Sequence, residues 1–175
     1  MRWFGRRRQV EQLVGAFYEP LYRYAYRLSG SPQEAEDLTQ ETFCQAQNKL
    51  GQLRAPGRAK AWLFSILRNA YLRRIRDSKQ EHRVPLDSVA EIPDRPTEPL
   101  PEIDLAILQK ALGELPESFR TPLILFYFEE YSYREIAEQM EMPVGTVMSR
   151  LSRGKMFLKQ RLLQGAPSLM SEPPA

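Results

Sequence analysis

Cysteine and histidine each occur once in this 175-residue sequence, as Cys44 and His82. A single cysteine excludes an internal disulfide, and these two residues alone cannot make a His/Cys metal site. The sequence has no glycine-rich phosphate loop and no nucleophile set beside a histidine. Catalysis, a bound metal and a cofactor are therefore not expected. No apolar run approaches the ~20 residues a membrane span needs. The basic start, Met1 to Arg8, is not followed by the apolar core of a secretory signal. These absences predict a soluble, cytoplasmic protein with no membrane insertion. A large charge of one sign is missing too: 25 Lys and Arg against 22 Asp and Glu leave a net +3. So small an excess identifies no nucleic-acid binder; the distribution of charge has to decide.

What is present is helical periodicity. Val10, Leu13, Val14, Phe17, Leu21, Tyr24 and Leu28 recur at helical intervals over residues 8–28, with Pro20 expected to kink or divide the segment. Ser31, Pro32 and Glu34 predict the start of a second helix, with Ser31 as N-cap and Glu34 completing a capping box. A third helix, from about Arg58 to Ser78, has Trp62, Leu63, Ile66, Leu67 and Ala70 as its expected buried set. From 84 to 101, prolines 85, 93, 96, 99 and 101 alternate with Asp87, Glu91, Asp94 and Glu98, which predicts an extended acidic linker. Beyond it, Leu105, Leu108, Leu112 and Leu115 mark one helix, and Pro116 opens another running to Phe128; Pro122 is expected either to be tolerated there or to shift that helix's start. The fold class is all-α. It comprises an N-terminal helical bundle over 8–82, an acidic Pro-rich linker over 83–101, a C-terminal domain over 102–164 and a disordered tail over 165–175.

The C-terminal domain carries the most specific pattern. Ser132 and Glu135 form a capping box, Ile136, Ala137 and Met140 share one face, and Pro143 breaks the helix. A second helix follows to about Leu162, with Val147, Leu151 and Leu158 inward and Gly154 permitting close approach. From Pro143 to Leu162 there is no acid, whereas Arg150, Arg153, Lys155, Lys159 and Arg161 are all present. A plain helical hairpin would not need that bias. A helix-turn-helix reading duplex DNA would, since phosphates supply affinity while Met148, Ser149, Ser152 and Arg153 face base edges.

The N-terminal patterns leave more than one explanation open. Arg58, Lys60, Arg68, Arg73, Arg74, Arg76 and Lys79, interleaved with Trp62, Phe64 and Tyr71, fit a solvated face or a platform for single-stranded nucleic acid. Asp37, Gln40 and Glu41 fit a solvent face or a docking surface for a basic protein; as an acid–base or hard-metal pair, Asp37 and Glu41 lack partners. A helix-turn-helix repressor or activator whose first helices dimerise or bind an effector fits the same pieces.

In order and spacing, however, the motifs resemble those of bacterial sigma factors of the extracytoplasmic-function (ECF) group. The matching stretches are Asp37-Leu38-Thr39-Gln40-Glu41-Thr42-Phe43, Ala61 to Asn69, Leu115 to Phe128, Tyr133 to Ala137 and Gly145 to Leu151. The resemblance implies core RNA polymerase and promoter DNA as partners, with an anti-sigma protein as a third. It implies polymerase docking by Asp37, Gln40, Glu41 and Phe43. It places Leu53, Arg54, Trp62, Ser65, Asn69, Arg73 and Arg76 on the melted non-template strand of the −10 element, Asn69 at a flipped base. Thr146, Met148, Ser149, Arg150, Ser152 and Arg153 would read the −35 duplex, and the linker would thread toward the polymerase active-site channel. Two positions depart from the pattern. Leu53 stands where an aromatic is common, and Met148 where many relatives have Lys or Arg, leaving an apolar contact suited to a thymine methyl.

Overall fold

The computed structural model describes residues 2–53, 55–79 and 104–165. The linker over 83–101, the tail beyond 165 and Arg54 lie outside the described residues. The chain divides into two compact units, each with its own helices, and no strand occurs among the described residues.

The first unit contains α1 (Arg2–Ser29), α2 (Pro32–Lys49) and α3 (Ala59–Lys79), with two 3₁₀ turns, Leu50–Gln52 and Pro56–Arg58, between α2 and α3. Gly30, at φ 75°, reverses the chain between α1 and α2. Ser31 Oγ accepts the Glu34 N–H at 3.3 Å. The expected capping box is only half formed: the Ser31 N–H goes to Ser29 Oγ, 3.3 Å away, instead of to the Glu34 carboxylate. Leu21, Tyr24, Ala25 and Leu28 of α1 are fully buried with Ala35, Leu38 and Ala46 of α2 and Leu63, Phe64 and Leu67 of α3. Thr39 and Thr42 are also buried, and their hydroxyls donate back to the Ala35 and Leu38 carbonyls at 2.7 Å, so neither hydroxyl is left unsatisfied.

Pro20 does not divide α1, which runs through it as one 28-residue helix. An interior proline forfeits one backbone bond and costs about 3 kcal/mol. Four fully buried side chains in the two turns that follow it offset that cost.

The second unit contains α4 (Leu105–Glu114), α5 (Glu117–Tyr127), α6 (Tyr133–Met140) and α7 (Val144–Gly165). Asp104 caps α4, its carboxylate accepting the Ala106 N–H at 2.8 Å. Leu105, expected in the apolar stripe, is instead 77% exposed, because the buried part of α4 is its later turns, at Ala111 and Leu112. Pro122 is tolerated inside α5 and is buried there, without shifting the helix start away from Pro116. Glu130 then adopts φ 60° and the Tyr131 N–H returns to the Leu125 carbonyl, redirecting the chain into α6.

α6 has the complete capping box: Ser132 Oγ accepts the Glu135 N–H, and the Glu135 carboxylate accepts the Ser132 N–H at 2.8 Å. Its end lies earlier than Pro143. Glu141 turns left-handed at φ 51°, the Met142 N–H reaches the Ala137 carbonyl at 3.0 Å, and the Glu141 N–H reaches the Glu138 carbonyl. That pairing is a Schellman stop. Pro143 then starts α7, where its carbonyl accepts the Thr146 and Val147 N–H groups.

α4, α5 and α6 all pack on α7. The close approach expected at Gly154 is present: a Cβ there would lie 2.8 Å from Leu123 Cδ1 and 3.4 Å from Phe119 Cβ on α5. Gly154→Val should therefore destabilise the second unit by about 2 kcal/mol, the scale of core overpacking. Urea unfolding checks this, with Gly145→Ala as the contrast, since a Cβ at Gly145 meets nothing within 4 Å.

Candidate nucleic-acid interfaces

The outward face of α7 follows from its inward one. Val147, Leu151 and Gly154 are buried, so at ~100° per residue Ser149 stands at the centre of the opposite side. Thr146, Ser152 and Arg153 fall within about 60° of it, and Met148 and Arg150 flank it at about 100°. Met148 is 52% exposed, an uncovered apolar side chain on a polar face. The Ser149 hydroxyl donates to the Thr146 carbonyl at 3.0 Å, which leaves its oxygen lone pairs directed outward as acceptors. Not every cation of α7 is available to a ligand. Arg161 pairs with Glu114 of α4 at 3.1 Å and lies over the Phe157 ring, so it ties α7 to α4.

The α5–α6 turn is set by Tyr131, which is buried. Burial first, and then the Glu129 and Glu135 carboxylates, push its phenol far above the ordinary tyrosine range, so it stays neutral. Beside it, Phe126 stacks on Tyr133 at 5.1 Å and meets Tyr127 edge-on at 5.0 Å.

In the first unit, Trp62, Ser65, Asn69, Arg73 and Arg76 form one stripe along α3, within an arc of about 80° at helical spacing. Asn69, Arg73 and Arg76 are exposed, while Trp62 and Ser65 are half-buried. Trp62 had been expected in the core; it lies at the core's edge instead. Phe64 and Tyr71, which alternate with the cations in sequence, are corrected the other way. Phe64 is fully buried and stacks on Tyr24 at 4.8 Å, and the Tyr71 hydroxyl donates to the Leu28 carbonyl at 2.7 Å. Trp62 is thus the aromatic of α3 left at its surface. Leu53 is half-buried just after the first 3₁₀ turn.

The acidic face of α2 also separates into different environments. Asp37 and Gln40 are exposed, as is Cys44. Phe43 is buried and stacks on Tyr18 of α1 at 6.5 Å, so it belongs to the α1–α2 seam. Glu41 is half-exposed and bonded on both oxygens: Oε1 accepts from Gln45 Nε2 at 2.8 Å and Arg73 Nη2 at 3.2 Å, and Oε2 accepts from Arg74 Nη2 at 3.0 Å. Sequence reasoning missed this bridge, because 32 residues separate Glu41 from Arg73. Among the described residues there is no cluster of His, Cys, Asp and Glu able to hold a metal, and no helix is long and apolar enough to cross a membrane.

A helix-turn-helix with a cationic second helix and a second, separate cationic stripe on α3 give this helical protein two candidate nucleic-acid faces. Two family models match the chain, Sigma-70 region 2 over residues 13–81 and Sigma-70, region 4 over residues 105–158. Over 160 residues it is 38% identical to the ECF RNA polymerase sigma factor SigE of Mycolicibacterium smegmatis, covering 87% of this chain and 61% of that relative's length. Over 166 residues it is 31% identical to the ECF sigma factor SigW of Bacillus subtilis, covering 86% of this chain and 87% of SigW. Among solved structures it is similar to the sigma factor RpoE of Bartonella quintana, determined with the anti-sigma factor NepR. There the TM-score is 0.71 and the identity 31%, over 89% of this chain and 98% of that one. CnrH, solved with the cytosolic domain of CnrY, shares the fold at a TM-score of 0.66 and 24% identity. The chain belongs to the ECF group of the sigma-70 family of RNA polymerase sigma factors, which are transcription-initiation factors and not catalysts.

The different burial of two neighbouring aromatics on α3 is directly testable. Phe64→Ala should cost about 3–5 kcal/mol of stability, as a deleted core aromatic does. Trp62→Ala should leave the thermal transition nearly in place. It should also weaken binding of a single-stranded oligonucleotide by roughly 1–3 kcal/mol, the worth of one stacked base.

Proposed function

We propose that this chain is a promoter-specificity subunit that docks on core RNA polymerase, reads a −35 duplex with α7 and captures the melted −10 strand on α3. The observation that carries this is the second stripe. An ordinary helix-turn-helix regulator needs one DNA face, whereas here Trp62, Ser65, Asn69, Arg73 and Arg76 line a face of α3 outside the helix-turn-helix unit. One half-exposed aromatic, one amide and two cations suit unstacked bases and a single phosphate backbone.

The family supports this division of labour, with residues 8–82 as the region 2-like domain and 102–164 as the region 4-like one. The stretch 83–101, acidic and Pro-rich, would join them and thread toward the polymerase active-site channel. Asp37 and Gln40 supply the docking face on α2, with Glu41 at its edge. Phe43 supports that face from beneath. Leu53, just after the first 3₁₀ turn, would extend the strand site, and Arg54, outside the described residues, is assigned to it by the family resemblance alone. Strand opening is selective if Asn69 receives a flipped base, since extrusion costs a few kcal/mol that a fitted pocket returns. On α7, Ser149, Ser152 and Arg153 face base edges, Thr146 and Arg150 are placed for the backbone, and Met148 is suited to a thymine methyl. With these partners the protein would act in the cytoplasm. RpoE, similar in fold, was solved with the anti-sigma factor NepR, and an anti-sigma protein is the corresponding regulator proposed here.

Reconstitution with core polymerase and promoter fragments tests the assignment. A specific transcript should appear only when the protein is added. Tight, core-independent binding to a palindromic operator as a dimer would indicate a conventional repressor or activator. Asn69→Ala should impair strand opening, followed by permanganate reactivity, more than binding to closed duplex. Arg153→Ala should relax selection at one or two −35 positions by roughly 1–3 kcal/mol if the guanidinium reads a base; a uniform loss across sequences would make it a phosphate contact.

A further inference from the structure

The Glu41 carboxylate connects two surfaces that the proposed function treats separately. It sits at the edge of the α2 docking face, yet both its oxygens are bonded toward α3 or along α2. The two arginines it meets are not equivalent. At helical spacing Arg74 continues the inward line of Leu63, Leu67 and Ala70, whereas Arg73 lies on the stripe with Trp62, Ser65, Asn69 and Arg76. Arg74 therefore anchors the carboxylate against α3, and Gln45, one turn away on α2, fixes its orientation. The remaining interaction, from Oε1 to Arg73 at 3.2 Å, falls on a guanidinium of the proposed strand site.

We propose that Glu41 is an internal stand-in for a DNA phosphate, holding Arg73 until docking of a basic polymerase surface draws the carboxylate away and frees Arg73 for the strand. The inference rests on α2 as the docking face and α3 as the strand site. Geometry and magnitude favour exchange over a permanent lock. The side chains of Glu41 and Arg73 are 36% and 51% exposed, so an incoming phosphate or cation can reach either. A half-exposed pair is weak enough for a charged competitor to displace, yet strong enough to bias the choice. Linkage then makes the effect mutual: whatever docking contributes to strand binding, strand binding contributes to docking.

The test measures the full-length protein against a fluorescent oligodeoxythymidylate of about ten nucleotides, without polymerase. Glu41→Gln should tighten binding about threefold, the weight of one half-exposed ion pair. In the Arg73→Gln background the same change should have no effect. Glu36→Gln removes an exposed acid elsewhere on α2 and controls for net charge; it should give less than the Glu41→Gln gain. The reciprocal measurement uses core polymerase alone, which Arg73→Gln should bind about threefold more tightly because the carboxylate has one partner fewer to leave. That arm does not depend on the folding of any Glu41 variant. If Arg73→Gln weakens oligonucleotide binding but Glu41→Gln does not tighten it, or if the gain persists without Arg73, the stand-in is overturned while the strand site survives. If Arg73→Gln leaves oligonucleotide binding unchanged, Arg73 is no strand contact and the stand-in falls with that assignment. Unchanged or weaker core binding by Arg73→Gln overturns the reciprocal link.

Discussion

Two helices in this protein must each satisfy a core face and a proposed ligand face within a single 3.6-residue repeat, and the rest of the structure is arranged around that constraint. On α7 the inward side is narrow: Val147, Leu151 and Gly154 are buried. It can be narrow because Gly154 lets Leu123 and Phe119 of α5 approach the α7 backbone closely. With close packing on so few positions, the remainder of the helix is left for cations and small polar side chains. The Schellman turn at Glu141 and the capping box at Ser132 matter for the same reason. They fix where α6 ends and where it begins, and so fix the rotation at which the next helix presents Ser149 and Arg153.

α3 meets the constraint with a wider core face. Leu63, Phe64, Ile66, Leu67, Ala70 and Tyr71 are all buried, which leaves a stripe of little more than one side-chain row. Two consequences follow. Trp62 is left at the boundary, half-buried, as a rigid platform for a base would have to be. The arginines near the end of α3, where the core thins, find a counter-ion on α2 at Glu41. The bridge is thus a product of core geometry and of the charges on both helices.

How much of this could be read from sequence depended on the range of the interaction. Caps, turns and stripes are local, and Ser132, Glu135, Gly154 and the buried face of α6 stand where periodicity and turn chemistry put them. Errors arose where a local rule competed with packing. Pro20 was given the power to divide α1, which tertiary burial overrode. Glu34 was paired with the Ser31 N–H, but Ser29 Oγ reached it first across the Gly30 reversal. Phe64 and Tyr71 were counted with the cations because they alternate with them in sequence, although Tyr71, about 40° from Leu67 at helical spacing, already pointed inward; Phe64, about 60° from Leu67, stands at the flank of that face and is buried by packing on Tyr24. The Glu41–Arg73 contact had no local signature at all. Opposite charges 32 positions apart become partners only once α2 and α3 are packed. Met148, Ser149, Ser152 and Arg153 could be placed from the helix-turn-helix pattern itself, but the polymerase face and the −10 strand residues came from family resemblance, since nothing in spacing alone distinguishes a docking acid from a solvated one.

The Glu41 bridge also bears on the modest overall charge. Under the proposed function, a protein that must avoid non-specific DNA while free, yet hold a strand once assembled, gains little from a large fixed positive field, because that field attracts any phosphate. Internal counter-ions lower the effective charge of the binding face without removing its cations. Here Glu41 masks Arg73 and Arg74 in the first unit, and Glu114 masks Arg161 in the second. Only the first of these masks lies beside a proposed docking surface, so only there can assembly expose what was covered. The net +3 of the chain is then compatible with a much more cationic strand site in the assembled complex, formed by redistributing existing partners without adding charge.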